Sequence, residues 1–212
     1  MRLFLGAIVS FMLFSCGAPI HTEKRTALKM NTVMSVTVLH PDKKTARAAL
    51  DAAFETIDRF IAILNIYDPD SEISIVNKSA YKNWIDLSPQ LLPVIEESLL
   101  YAKKTGGAFD ITVRPLVMLW KNFAVQKSKP NDVLIRETLK NNTGYKFVLL
   151  KGNRIKFLKK SISLDLGGVA KGYIVDKARQ ILIDHGIKNA LIDAGGNIYA
   201  MGDNMGQPWT VG

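Results

Sequence analysis

The chain has 212 residues, of which 48% are hydrophobic, and a formal net charge of +9. This length supports one sizeable hydrophobic core. Its single cysteine, Cys16, excludes an intrachain disulfide, and the rest of the chain has no cysteine nucleophile or zinc–thiolate site. The excess of Lys and Arg either forms a solvated surface or attracts anionic lipid or phosphate. We expect no nucleic-acid partner, because the interleaved aromatic and basic residues of single-strand binders are missing.

The N-terminal residues predict export. Residues 1–15 read as a signal peptide, since the apolar run over 3–13 is shorter than the roughly 20 residues of a membrane-spanning helix. The small Ser15 before Cys16 resembles the lipobox of bacterial lipoproteins, which implies a lipid on Cys16 and a tether over 16–25. We therefore expect attachment to the periplasmic side of a bacterial membrane and one domain over 26–212. An ordinary signal peptide with an unrelated cysteine is the alternative.

The first half of that domain alternates between strand and helix signals. β-Branched residues predict a strand over 30–39, and apolar residues at helical spacing predict a helix over about 45–65, capped by Asp42. A Pro/Asp turn follows at 66–70. Ser88 and Pro89 predict the start of a second helix, and the two glycines at 106–107 predict its end.

The second half continues with mixed elements. We expect a helix over 131–140, a hairpin with strands over 145–150 and 155–158, and a strand over 161–166. A helix over 169–185 and strands over 189–193 and 198–201 follow. This order predicts an α+β fold, a single layered domain of mixed sheet and helices. Residues 207–212 look like the start of a strand, so we expect a domain that is incomplete at its C-terminus.

Three glycine-containing turns are candidates for ligand binding. In the segment 165–172 a strand ends, two glycines let a ligand approach the backbone, and a helix begins, which suits a phosphate group. Lys171 lies one turn into that helix. The turns over 105–110 and 193–197 each place a carboxylate beside two glycines. Taken singly, such turns are more often structural than functional.

Taken in order, five segments resemble the successive motifs of the ApbE family, the FAD:protein FMN transferases. They are MNT at 30–32, YDPDSE at 67–72, TGGAFDITVRPLV at 105–117, LDLGGVAKGY at 164–173 and NALIDAGG at 189–196. The resemblance implies an enzyme that uses Mg²⁺ and FAD. It would release AMP and join FMN through a phosphoester bond to a Thr or Ser of an exported flavoprotein subunit with an Asp-x-x-Thr-Gly-Ala-Thr-like motif.

The resemblance also implies roles for individual residues. One backbone carbonyl, that of Gly168, would help to hold the metal ion. The remaining family matches would contact FAD: Met30, Tyr67, Ala108, Phe109, Asp110, Asp165 and Lys171. The catalytic residues and the other metal ligands of the family match nothing in this chain and are expected beyond residue 212.

Two positions depart from the family pattern, which usually has glycine there: Asn31 and Arg114. Asparagine tolerates left-handed backbone geometry, whereas Arg114 would clash if a positive φ is required there, although it could also add a contact to phosphate. The alternatives to a transferase are a lipid-anchored FAD-binding protein without transfer activity, an FAD pyrophosphatase that uses water as acceptor, and a surface lipoprotein without ligand. A homodimer is left open.

Overall fold

A computed structural model of the protein describes residues 19–211. These residues form two antiparallel sheets and six α-helices, which confirms the predicted α+β class. The expected signal peptide over 1–15 and the lipidated Cys16 lie outside the described residues. The expected tether over 16–25 is partly wrong, because residues 21–25 already belong to the first strand and pair with the second along their whole length.

The larger sheet has four strands in the order β1-β2-β6-β7. Its strands are β1 (His21–Lys29), β2 (Thr32–His40), β6 (Asn189–Ala194) and β7 (Asn197–Met201). Hairpins join β1 to β2 and β6 to β7, and β2 pairs with β6 in the middle of the sheet. Alternate side chains of β2, among them Met34, Val36 and Val38, are fully buried on one face.

Two long helices cover that buried face. Helix α1 (Lys43–Leu64) begins at Asp42, whose carboxylate accepts hydrogen bonds from the backbone N–H groups of Lys44 and Thr45, as predicted. Helix α6 (Ala170–Asp184) packs against α1, and the rings of Phe60 and Tyr173 meet edge to face at 5.5 Å. The apolar stripe predicted for α1 is the stripe that is buried.

The smaller sheet has three strands in the order β3-β5-β4: β3 (Ile85–Asp86), β5 (Arg154–Phe157) and β4 (Val148–Lys151). Helices α2 (Glu72–Ser79) and α3 (Leu91–Lys104) contribute further buried apolar residues. Ser88 acts as the predicted cap of α3, since its hydroxyl accepts the Leu91 N–H at 3.1 Å.

Helices α4 (Arg114–Val125) and α5 (Asp132–Asn142) contain no buried residue, although both carry large apolar side chains. Helix α5 matches its prediction. Helices α2 and α4 were not predicted. The first is too short to show a helical period.

Two predicted strands are wrong. Residues 161–166 bury alternate side chains but pair with no strand, and the side chain of Asn77 hydrogen-bonds the backbone of Leu164 instead. The strand expected at 207–212 is reduced, within the described residues, to one isolated bridge between Asn204 and Gln207. No helix among residues 19–211 is long and apolar enough to cross a bilayer.

Candidate functional site

A cleft of about 510 Å³ opens beside the end of α1. Three separate parts of the chain form it: the turn between β1 and β2, the end of α1 with the residues after it, and the segment that leads into α6. The volume lies within the range of small-molecule sites. Its lining consists of Met30, Asn31, Ile61, Leu64, Asn65, Ile66, Tyr67, Asp165, Gly167, Ala170 and Lys171. Four of the sequence-predicted site residues therefore surround one cavity: Met30, Tyr67, Asp165 and Lys171.

The turn between β1 and β2 places Met30 at the cleft. Lys29 pairs with Thr32, so only Met30 and Asn31 form the loop. Both have positive φ, 51° and 57°, the geometry of a tight hairpin turn that normally selects Asn or Gly. Asn31 suits this geometry, but a methionine there is strained by roughly 1–2 kcal/mol. Such strain is found at ligand sites more often than elsewhere. The predicted strand start at residue 30 is corrected to Thr32 for the same reason.

The segment after α1 presents an aromatic ring at the rim. Tyr67 is 63% exposed. Its backbone N–H donates to Asn65 Oδ1 at 3.1 Å, and the buried Ser71 hydroxyl donates to the Asn65 carbonyl at 2.7 Å. Lys121 on α4 hydrogen-bonds the Tyr67 hydroxyl. The backbone and the hydroxyl of Tyr67 are thus held in place while the ring remains accessible for stacking.

Arg114, the other departure from the family pattern, is the first residue of α4 and has a φ of −49°. No glycine is needed in this conformation. Its Nη2 points toward the Ile66 carbonyl at 3.4 Å, and its Nη1 is buried without a hydrogen-bond partner within residues 19–211. The Arg114 guanidinium group therefore lies next to Ile66, the residue that precedes Tyr67.

The segment that leads into α6 carries Asp165. Its backbone N–H donates to the Ile111 carbonyl at 2.7 Å, and its Oδ1 accepts the Gly167 N–H at 2.8 Å. Its Oδ2 accepts no hydrogen bond in the described part of the chain, so it is available to a ligand.

The start of α6 offers hydrogen-bond donors. The N–H groups of Val169 and Ala170 both donate to the Leu166 carbonyl. Those of Lys171 and Gly172 donate to no backbone carbonyl among residues 19–211. Unused N–H groups at a helix N-terminus, together with the Lys171 side chain on the cleft wall, are suited to binding an anion.

The glycine turn at 105–110 lies beside this segment but does not line the cleft. A β-carbon on Gly168 would lie 3.3 Å from Cε2 of Phe109, so the Phe109 ring packs against the glycine turn at 165–172. Ala108 is exposed. Asp110 has a structural role. Its Oδ1 accepts hydrogen bonds from the N–H and the hydroxyl of Thr112, and its Oδ2 accepts one from the Tyr145 N–H at 2.8 Å.

The third glycine turn, between β6 and β7, is also occupied by local contacts. Asp193 Oδ1 accepts the Gly196 N–H at 3.0 Å. A β-carbon on Gly195 would lie 1.9 Å from the Thr32 hydroxyl oxygen, which shows how closely this turn approaches β2 beside the Met30 turn.

The donor set for a metal ion is small. Within residues 19–211 no group of three or more His, Cys, Asp and Glu side chains is close enough to hold one. Gly168 lies in the same turn as Asp165 and lines a second cavity of about 190 Å³ beside Tyr173 and Asp176. A carboxylate oxygen and an exposed backbone carbonyl fit part of the oxygen shell of Mg²⁺, which usually includes substrate phosphate and water.

Comparison with known proteins identifies relatives along the whole domain. The FAD:protein FMN transferase of Treponema pallidum is 29% identical over 216 residues, which cover 95% of this chain and 59% of the relative. The FAD:protein FMN transferase of Vibrio cholerae is 30% identical over 220 residues, which cover 100% of this chain and 64% of the relative. The solved structure of the flavin transferase ApbE from Vibrio cholerae superposes with a TM-score of 0.75 at 27% identity, covering 91% of this chain and 63% of that one.

The chain thus spans less than two thirds of the length of these relatives. The ApbE family model matches residues 30–212, a range that includes every residue around the cleft. On this match the chain belongs to the ApbE family.

Proposed function

We propose that this protein binds FAD in the cleft and transfers FMN from it to a Thr or Ser hydroxyl of an exported flavoprotein subunit. The observation that carries the proposal is the convergence of Met30, Tyr67, Asp165 and Lys171 on one cavity. The relatives named FAD:protein FMN transferase support it independently.

Different residues around the cleft contact different parts of the ligand. The exposed Tyr67 ring and the Met30 side chain provide apolar surface for the isoalloxazine ring. Lys171 and the unused N–H groups at the start of α6 neutralise the pyrophosphate. Asp165, held by Ile111 and Gly167, directs its second carboxylate oxygen toward a hydroxyl group of the ligand or toward a cation beside the phosphate.

The transfer itself needs little covalent chemistry from this chain. The acceptor hydroxyl oxygen forms a bond to the phosphorus of the FMN half, the pyrophosphate bond to the AMP half breaks, AMP leaves, and the hydroxyl proton is released. Positioning and charge neutralisation dominate such reactions. When bound, Mg²⁺ would supply further neutralisation, with Asp165 and the Gly168 carbonyl as the residues of this chain nearest to that role.

The proposed setting follows from the N-terminal sequence. A lipid on Cys16 would hold the protein on the periplasmic side of a bacterial membrane, where exported acceptor subunits with an Asp-x-x-Thr-Gly-Ala-Thr-like motif are found. The second candidate function is FAD binding or FAD hydrolysis without transfer. The small set of metal ligands among residues 19–211 favours this second reading.

Co-expression in the periplasm with an acceptor domain that carries the threonine motif separates the two readings. We expect flavin fluorescence on the denatured acceptor band, and its loss both when the acceptor Thr is replaced by Val and with Asp165→Ala. A dark acceptor band together with FMN and AMP released from FAD would replace the transferase by a pyrophosphatase. A dark band with intact bound FAD would leave a flavin-binding protein.

A further inference from the structure

The net charge of the protein is concentrated in one part of the fold. Residues 121–160 contain eleven Lys or Arg and two Asp or Glu, which gives +9, equal to the formal charge of the whole chain. The remaining residues are therefore neutral as a set. This segment comprises the C-terminal part of α4 from residue 121, all of α5, and the β4–β5 hairpin. The hydroxyl of Ser161, which follows the hairpin, donates a hydrogen bond to the carbonyl of Asn141 on α5 at 3.0 Å. We call residues 114–160 the basic lobe.

The cations of the basic lobe are exposed and are not neutralised by carboxylates. Nine of the eleven between residues 121 and 160 are exposed, Lys156 and Lys159 are half-buried, and the twelfth cation of the lobe, Arg114, is also half-buried. In the described part of the chain, all four ion pairs lie among residues 23–58. On the hairpin, Lys151 and Arg154 stand directly opposite each other, an arrangement of like charges that disfavours the strand pair, although Asp86 flanks Arg154 on β3. An anionic partner would relieve this repulsion.

The same lobe exposes large apolar side chains. Trp120 is 45%, Val125 85% and Val133 57% exposed, and Leu139 extends the set on α5. Neither α4 nor α5 buries a single residue. Short helices that combine exposed apolar side chains with surrounding lysines are typical of segments that lie in the interface of a bilayer. Tryptophan is itself enriched at that depth.

The composition favours lipid over a protein partner. Of the twelve cations of the basic lobe, nine are Lys and three are Arg. Lysine is depleted in protein–protein interfaces, where the planar guanidinium group is preferred for fixed pairs. Clusters of lysines instead suit the diffuse negative potential of an anionic membrane, where each contributes about 1 kcal/mol.

We propose that the basic lobe docks on an anionic phospholipid surface, with the lysines at the headgroups and the apolar side chains of α4 and α5 in the interface. Lys121 contacts Tyr67, so the lobe adjoins the rim of the cleft, and docking fixes the orientation of the cleft relative to the membrane. The inference does not depend on FAD binding or on a lipid at Cys16.

Vesicle sedimentation of the full chain tests the proposal. The two vesicle types are phosphatidylcholine alone and an equal mixture with phosphatidylglycerol. The leader and any lipid on Cys16 promote binding to both vesicle types, so the difference in binding between the two types measures the electrostatic contribution. We expect binding to the mixed vesicles to be at least about tenfold stronger and to weaken with added salt.

Two matched variants locate the effect. Replacing Lys129, Lys140, Lys151 and Lys160 by Gln should remove most of the difference between the vesicles. The same change at Lys24, Lys44, Lys82 and Lys188, which are also exposed, should preserve it. Circular dichroism melts verify that both variants fold. Equal partitioning to the two vesicle types would overturn the proposal, and retention on polyglutamate without vesicle binding would assign the lobe to an acidic protein instead. An equal loss in both variants would also contradict it.

Discussion

The side-chain amide of Asn77 hydrogen-bonds both backbone groups of Leu164. Its Nδ2 donates to the Leu164 carbonyl at 3.0 Å, and its Oδ1 accepts the Leu164 N–H at 2.6 Å. The next residue, Asp165, is held in turn by the Ile111 carbonyl. The Asn77 side chain on α2 thus supplies the hydrogen bonds that a neighbouring strand would otherwise provide at Leu164. It thereby positions the next residue, Asp165, at the cleft.

Asn77→Leu should lower the free energy of unfolding by about 2 kcal/mol or more, because two buried backbone groups lose their partners. FAD affinity should fall as well, since Asp165 follows directly. Urea denaturation and an FAD titration measure the two effects. Asn83→Leu, at an exposed position, is the control. A variant with unchanged stability and affinity would show that Asn77 does not position the site.

The prediction of this region from sequence failed for a physical reason. The β-like pattern over 161–166 correctly indicated alternating burial, but the hydrogen-bond partner of the Leu164 backbone is a side chain 87 residues away. The periodic helix α1 was predictable because its own residues define the buried stripe. Met30, Tyr67, Asp165 and Lys171 were identified through motif resemblance. The contacts of Lys121 and Asn77 depend on tertiary packing, which leaves no local pattern.

The strained turn at Met30 gives a second prediction. Met30→Gly should weaken FAD binding without lowering the melting temperature, because relief of roughly 1 kcal/mol of left-handed strain offsets the lost side-chain packing. Lys127→Gly is a matched control, since Lys127 has the same φ of 51°, is exposed and does not line the cleft. It should leave FAD affinity unchanged. A large loss of stability in Met30→Gly at constant affinity would make Met30 a packing residue instead.

The turn between β6 and β7 allows two neighbouring glycines to be compared. Both have positive φ, 62° at Gly195 and 89° at Gly196, but only Gly195 faces Thr32, at 1.9 Å from its would-be β-carbon. We expect Gly196→Ala to cost about 1–2 kcal/mol from backbone strain alone. Gly195→Ala should cost a further 1–3 kcal/mol, roughly, from overpacking. Equal losses in urea denaturation would refute the close contact with β2.

The cap of α1 predicts a dependence of stability on pH. Hydrogen bonds from the Thr45 hydroxyl and from the N–H groups of Thr45 and Lys44 lower the pKa of Asp42. A carboxyl group whose pKa is lower in the folded state stabilises the fold above its unfolded pKa, near 3.9, and loses that effect as the pH falls through the folded value. Asp42→Ala should therefore have a lower melting temperature than the wild type at pH 7, and the difference should shrink as the pH falls below about 3.9. A constant difference down to pH 2 would contradict this assignment.

The most direct test of the proposed site is a titration of the purified full chain with FAD, followed by the quenching of flavin fluorescence. We expect saturable binding with one FAD per chain. Asp165→Ala should weaken it at least about tenfold, because the interaction of a ligand with a carboxylate contributes roughly 1.5–3 kcal/mol. Asp184→Ala, on the exposed end of α6, should leave it unchanged. The absence of saturable binding, or equal affinity in wild type and Asp165→Ala, would contradict the assignment of this cleft as the FAD site.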